Sequence, residues 1–425
     1  MEMVIFILKA YLLIFIVIVT LYMARHFIFT FNRLFGRQKL YYQDLIDQDI
    51  PFITVIIPMH NEELVAEQIL NRLLSSDYLE EKMEIIPVND HSKDRTAEII
   101  DTYAKRYSHI KPLHRLSDEE KRGKAHSLND AMAISKGEII VVFDADYQPP
   151  NGIIRELVIG FKDPEVGAVM GRVLVENCGT NLLTMMLELE RSGGYQVDQQ
   201  ARYNLDLIPQ YGGTVGAYRK QVVVDMGGFD PQVLAEDTEL TYKMYLNGWH
   251  VAYANRAECY EEMPESWSAR ARQIRRWARG HNQVMFKYLV PLIGSRYLNL
   301  RKKVDGLLLI FIYMLPTLLF FGILSSVVLF LSGNLEIFGG LIFLLFIVSL
   351  GAFGNFAPFF QIGVANFIDG RTRALRLIPM FAFNFVFYML YVSLGFWDAV
   401  KDVFRKDEPE WAKTERHQRG DRDAK

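Results

Sequence analysis

Only two cysteines, Cys178 and Cys259, occur in 425 residues. Their spacing suits neither a disulfide framework nor a metal site, so both read as free thiols. Charge of one sign is equally scarce, since 47 basic against 50 acidic side chains leave a net charge of −3. A chain that neutralises phosphates along a nucleic acid is excluded, and no nucleic-acid partner is expected. Neither GxGxxG nor GxxxxGK[ST] follows the first strand-like run, so neither a dinucleotide fingerprint nor a P-loop is supported. Disorder is excluded too, because 50% of the residues are hydrophobic and 13% aromatic beside 23% charged. The mean hydropathy of +0.07 is an average over very different parts.

Charge is missing altogether from three long runs, Gly306 to Leu331, Ile337 to Ile368 and Leu377 to Trp397. Val4 to Ala24 carries only Lys9, close enough to the end to snorkel. Uncharged runs beyond about 18 residues are the signal of membrane helices rather than core helices. The first run reads as a retained anchor rather than a cleaved signal peptide, because Glu2 stands where a basic region belongs and no small-x-small site follows before Arg25. Arg25, Arg33, Arg37 and Lys39 follow it, and Arg301, Lys302 and Lys303 precede the second run. The positive-inside rule therefore makes the middle of the chain cytoplasmic, in a multi-pass protein of the plasma membrane. Three further crossings would put the basic tail outside, so one run is expected to be no simple crossing. Ile337 to Ile368, interrupted by Gly351, Gly354 and Pro358, is the one singled out. The expected division is an anchor over 1–38, a soluble domain over 39–263, interfacial helices over 264–303, membrane segments over 304–398 and a charged tail over 399–425.

The soluble domain opens with Phe52 to Pro58, a β-branched run ending in His60, Asn61 and Glu62. A helical stretch, Glu63 to Leu74, separates it from a second strand, Met83 to Val88, ending in Asn89 and Asp90. After another helix comes Glu138 to Phe143, ending in Asp144. This alternation predicts an α/β fold with a parallel sheet and a ligand crevice beyond the carboxyl ends of its strands.

Asp144-Ala145-Asp146 reads either as a hard-oxygen site for Mg²⁺ or Mn²⁺ or as an ordinary turn. Lys124 begins a helix-like stretch, where it either meets a diphosphate or is merely solvated. Glu236 and Asp237 supply either a general base with an acidic neighbour or a helix N-terminus rich in acids. From Pro264 onward a helix is expected that carries Arg270, Arg272, Gln273, Arg275, Arg276, Trp277 and Arg279. Its arginines suit an anionic-lipid surface, yet Gln273 and Trp277 share a face at i, i+4. That face could stack a sugar on the indole while guanidinium groups hold a diphosphate.

Taken in order, Asp90, Asp144-Ala145-Asp146, Glu236-Asp237 and Gln273-Ile274-Arg275-Arg276-Trp277 resemble the D, DxD, [TE]D and QxxRW series of processive family 2 glycosyltransferases, such as cellulose, mixed-linkage glucan, hyaluronan, chitin and poly-N-acetylglucosamine synthases. The resemblance runs from Phe52 to Val284 and implies a cytosolic GT-A (Rossmann-like) domain inserted between transmembrane helices. It implies that Glu62 and Asp90 hold the uridine of a UDP-sugar, Lys124 its diphosphate, and Asp146 with Asp144 the Mg²⁺ or Mn²⁺. Asp237 would be the base beside Glu236, while Gln273, Arg276 and Trp277 would organise diphosphate and acceptor. Tyr211, Gly213 and Thr214 fall where cellulose synthases line the acceptor terminus, although Gly212 replaces a Cys and Ala235 a Thr. Trp411 with Lys413, Thr414, Glu415 and Arg416 resembles a gating segment of such synthases, or is a charged tail.

The activity implied is inverting, metal-dependent polymerisation of a β-linked polysaccharide, a β-glucan from UDP-glucose being favoured over a hexosamine polymer, with export of the growing chain. Single addition to a lipid-linked acceptor is the competing enzyme, and a transporter or scaffold with a degenerate nucleotide domain the competing class. So few spans for a polymer channel also point to a homo-oligomer or an accessory subunit.

Overall fold

The computed structural model describes residues 2–40, 50–117, 121–334 and 356–404. Seven strands form one sheet: β1 (Ile53–Met59), β2 (Met83–Asp90), β3 (Leu113–Arg115), β4 (Ile139–Val142), β5 (Val166–Val175), β6 (Gly216–Arg219) and β7 (His250–Glu261). Their spatial order is β3-β2-β1-β4-β6-β5-β7. Strands β1 to β4 run parallel, as the alternation predicts, and β1 is flanked by β2 and β4. The expectation of a wholly parallel sheet fails at β6, which runs antiparallel to both β4 and β5. The chain reaches β6 from a long helical excursion, Leu182–Asn204, and so re-enters the sheet from the opposite end.

Almost every residue of β1, β2, β4 and β5 is buried, as happens when helices cover both faces. The helix Ala66–Leu74 turns Ile69, Leu70 and Leu73 into that core. Because β1 sits between β2 and β4, the chain leaves their carboxyl ends in divergent directions and opens a crevice there.

The N-terminal helix Glu2–Phe35 is apolar enough to cross a bilayer, with mean hydropathy 2.9 in its best window. The unit Thr372–Phe404 passes the same test at 1.8, its main helix being Phe381–Phe404. Gly306 to Leu331 departs from the expected single rod: helices Leu300–Ile310 and Leu315–Leu331 meet at a 73° bend. These described helices supply two candidate spans, or three if the bent pair is one, against the four apolar runs of the sequence. Exposed Phe6, Ile14, Phe330, Phe383 and Val386 give these helices the apolar surface that lipid would cover. Of Ile337 to Ile368, residues 337–355 lie outside the described set, and the rest is a short helix, Phe356–Ile368. This helix docks on the soluble domain. Gln361 Nε2 donates to the Gly193 carbonyl at 3.2 Å, and Asp369 just beyond accepts from Ser192 Oγ at 2.7 Å.

The arginine helix spans Trp267–Gly294, starting three residues after Pro264, because Ser266 supplies the cap by accepting from the Ala269 amide at 3.2 Å. It packs against Phe381–Phe404 so closely that a Cβ at Gly395 would lie 2.5 Å from the Arg275 carbonyl. Arg275 bonds Asp398 at 2.6 and 3.0 Å, and Arg279 bonds Asp402 at 2.6 and 2.7 Å. Two of the arginines thus fasten the arginine helix to a candidate membrane span.

Candidate active site

A cavity of about 520 Å³ opens beyond the carboxyl ends of β1, β2 and β4. Its wall includes Glu62, Asp90, Lys124, Asp144, Asp146 and Thr214, then Glu236 and Asp237, then Gln273, Arg276 and Trp277. Residues more than two hundred positions apart, Glu62 and Trp277, therefore converge on one space, though not all in the manner the sequence implies.

Asp90 ends β2 with its carboxylate already engaged. Oδ1 accepts from Arg115 Nη1 at 2.6 Å and lies 2.7 Å from His91 Nδ1, and Oδ2 accepts from the Gly123 amide at 2.9 Å. Asp90 thereby ties the start of the helix Lys124–Ile134 to the sheet. Glu62 is buried at the end of the β1 loop, its amide donating to Thr96 Oγ1 at 2.8 Å.

Strand β4 stops at Val142, and Asp144 to Tyr147 form a turn closed by a 3.2 Å bond from the Tyr147 amide to the Asp144 carbonyl. The two-residue period of a strand therefore does not orient the two carboxylates; the turn does. Thr214 fixes that turn by accepting the Asp144 amide at 3.0 Å. Among the described residues no group of three or more His, Cys, Asp or Glu side chains forms a metal cage. Asp144 and Asp146 do present hard carboxylate oxygens on one wall, which fits a Mg²⁺ or Mn²⁺ completed by water and substrate phosphates.

Lys124 Nζ lies 2.7 Å from Asp144 Oδ1 and 3.5 Å from Glu236 Oε1. Burial opposes its charge, yet Asp144 and Glu236 hold the ammonium above the ordinary lysine range. Burial pushes the Glu236 carboxyl up to about 7, opposed by Lys124 and reinforced by Asp237. The two acids thus sit in different environments at the first turn of the helix Glu236–Leu246. Asp237 Oδ1 accepts the Thr238 amide at 2.6 Å, which fixes its orientation.

Tyr211 and Gly213 are not on the cavity wall. Tyr211 is fully buried, its ring edge-on to Tyr218 at 6.2 Å, and acts as packing behind the site. Gly213 adopts φ +72°, and a Cβ there would lie 3.0 Å from Asp237 Cβ, so its lack of a side chain makes room for the acid. Of the five arginines on the Trp267–Gly294 helix, Arg276 lines the cavity. Arg270 is buried against Glu190 at 2.9 Å and bonds Gln273 Oε1 at 2.7 Å. Trp277 has the guanidiniums of Arg191 and Arg270 over its ring at 5.3 and 5.1 Å, so cations rather than an open face meet its π-system. The residues from Trp411 to Arg416 lie outside the described set.

Several wall residues escape the motif reading. Arg191 pairs with Glu261 at 2.6 Å, and Tyr147 Oη donates to the same carboxylate at 2.7 Å. Tyr195 lies on a π-helical stretch, Gly193–Gln199, that interrupts the helix after Ser192. The Gly193-Gly194 pair was its available signal, since such interruptions gather at functional sites. His281 also lines the cavity, 3.3 Å from Thr238 Oγ1 and stacked on Tyr313 at 4.3 Å. It continues the face of Gln273 and Trp277 at the next i+4 step, so periodicity alone could have found it.

Known proteins resemble this chain in sequence and in fold. Residues 51–280 match the family described as Glycosyltransferase like family 2. The chain is 31% identical over 377 residues to a probable glycosyltransferase YdaM of Bacillus subtilis, covering 87% of this chain and 88% of that protein. It is 30% identical over 284 residues to a beta-monoglucosyldiacylglycerol synthase of Nostoc sp., covering 67% of this chain but only 60% of that one. In fold it is similar to a mannosyltransferase of Pyrobaculum calidifontis solved in complex with GDP-Man and Mn²⁺, with TM-score 0.63, 20% identity and coverage of 94% of this chain and 100% of that one. By the span of the family match and the extent of the first of these likenesses, the chain belongs to glycosyltransferase family 2, built on the α/β GT-A fold.

Proposed function

We propose that this glycosyltransferase moves one sugar from a nucleoside diphosphate, UDP-glucose being the first candidate, to a hydroxyl of a membrane lipid, with inversion at the anomeric carbon. One observation carries the reading: the cavity that holds Asp144, Lys124 and Asp237 continues to Leu309, Ile312 and Tyr313 at the bend between the two apolar helices. A base therefore lies between a polar, carboxylate-lined end and an apolar end at the membrane. The name of the Nostoc relative, a monoglucosyldiacylglycerol synthase, agrees with such an acceptor.

In this mechanism Asp237 removes the proton from the acceptor hydroxyl as its oxygen bonds the anomeric carbon. The bond from that carbon to the diphosphate breaks, and its electron pair leaves with the nucleotide. Glu236, held up to about 7 by burial, lies 3.5 Å from Lys124 against 2.7 Å for Asp144, and is the poorer partner for that ammonium. Lys124 and Arg276 face the departing diphosphate, and Glu62 and Asp90 border the nucleoside end. A Mg²⁺ or Mn²⁺ held by Asp146 and Asp144 would neutralise charge on the leaving group. Holding both substrates in one cavity removes much of the entropic barrier to their encounter.

Asp237→Asn tests this reading, since it deletes a base at nearly constant volume. Nucleotide affinity should be retained and transfer abolished; full transfer by the variant would remove Asp237 from the mechanism.

The second reading is processive synthesis of a β-glucan or hexosamine polymer with export, favoured by the run Gln273-Ile274-Arg275-Arg276-Trp277. A growing polysaccharide acceptor needs a channel, and hence an oligomer or accessory subunit. A lipid acceptor needs only an opening at the membrane surface.

A further inference from the structure

Four charged residues that no motif includes meet where the N-terminal helix passes the soluble domain. Arg25 Nη2 bonds both oxygens of Asp198 at 3.0 and 2.7 Å. Arg202 Nε bonds the same Asp198 at 2.6 Å, and its Nη1 bonds Asp305 at 2.5 Å. Arg25 is only 5% exposed and Arg202 1%, and both guanidiniums lie over the Phe29 ring, at 4.8 and 5.5 Å. An arginine buried at the end of a membrane helix is expensive to keep, which makes function the default reading.

The network is incompletely bonded. Arg25 Nη1 and Nε and Arg202 Nη2 are buried without a hydrogen-bond partner among the described residues, and Arg25 Nε has only an ion-pair contact, at 3.7 Å from Asp305 Oδ1. Arg25, Asp198 and Arg202 all stand on the wall of the active-site cavity, together with Leu309, Ile312 and Tyr313. Two guanidiniums and two carboxylates also cancel in formal charge. Donors without acceptors, in a neutral setting, at the apolar end of a cavity that elsewhere holds Asp144, Glu236 and Asp237, suit an oxygen-rich but uncharged ligand.

We propose that Arg25 and Arg202 form the headgroup subsite for the acceptor, giving their spare N–H groups to the oxygens of a neutral glycerolipid while its chains lie against Leu309, Ile312 and Tyr313. This rests on the reading of the site as one that glycosylates a membrane lipid. The class named is a diacylglycerol-like lipid with a free hydroxyl; a phosphate-terminated lipid would carry uncompensated negative charge into a cavity already lined with carboxylates.

The test uses the full-length protein in nanodiscs with radiolabelled UDP-sugars and Mn²⁺, offered diacylglycerol or a polyprenyl phosphate as acceptor. The wild type should glycosylate diacylglycerol in preference to the polyprenyl phosphate, a comparison that needs no variant; the opposite preference overturns the proposal. Arg25→Lys keeps a charge for Asp198 but loses the spare guanidinium N–H groups. Its KM for diacylglycerol should rise about tenfold or more, the worth of one charge-assisted hydrogen bond, with KM for the UDP-sugar unchanged. A folded Arg25→Lys with unaltered acceptor KM overturns the subsite while leaving the lipid-acceptor reading standing. A wild type that labels no lipid overturns both.

Discussion

Lys124 and Asp144 meet at 2.7 Å, joining the first residue of the helix Lys124–Ile134 to the turn after β4. The contact brings a cation between the proposed metal carboxylates and Glu236, which lies 3.5 Å from the same Nζ. Removing it would leave acids facing one another and take a positive group from the diphosphate. Lys124→Met should therefore weaken UDP binding in the presence of Mn²⁺ by about tenfold or more, as measured by titration calorimetry. Unchanged affinity would take Lys124 out of the donor site.

A pH effect follows from His281. Burial lowers its imidazole from 6.5 to about 4, with Asp237 opposing the shift. Between those values the unfolded chain binds a proton that the folded site refuses, so this contribution to stability is complete above about pH 6.5 and is lost as pH falls towards 4. His281→Gln removes the titration while keeping a polar side chain. Thermal unfolding followed from about pH 7 to 4 should show the wild type losing more stability than the variant. Parallel curves would contradict the assignment.

Gly280 supports the base from the helix Trp267–Gly294. A Cβ there would fall 2.8 Å from the Ala235 amide nitrogen, one residue before Glu236. Alanine favours a helix by about 1 kcal/mol over glycine, so Gly280→Ala keeps the helix and pushes the segment that carries Asp237. Transfer should fall by about tenfold or more with UDP affinity preserved, because misplacing a catalytic group by about 1 Å is that costly. Full activity would mean that the two backbones part without moving the acid.

Arg279 and Asp402 tie the helix Trp267–Gly294 to the candidate membrane helix Phe381–Phe404. Arg279 is 30% exposed and Asp402 18%, and the contact has two bonds, so a double-mutant cycle with alanine should return a coupling of about 1 kcal/mol in thermal unfolding. Additive losses would reduce the pair to a surface contact.

The site was legible wherever chemistry and local spacing coincide. Asp144-Ala145-Asp146, Glu236-Asp237 and Gln273 to Trp277 each lie within a few residues, and strand ends placed Glu62, Asp90 and Asp144 in one crevice. What the sequence concealed depends on partners far along the chain. Arg275 and Arg279 read as members of one arginine set suited to anionic lipid or a diphosphate until Asp398 and Asp402 occupy them, and Arg25 reads as a topology signal until Asp198 and Asp305 surround it. Hydropathy could not mark the 73° bend either, because it falls inside the uncharged run from Gly306 to Leu331.

Transfer of a sugar to a membrane lipid by way of Asp237 is tested most directly by the product that purified full-length protein in nanodiscs makes from radiolabelled UDP-sugars, separated by organic extraction and sized. The account predicts label in the lipid phase as a single-sugar product, absent with Asp237→Asn. Label confined to a long β-glucanase-sensitive polymer, with an empty lipid phase, would contradict it.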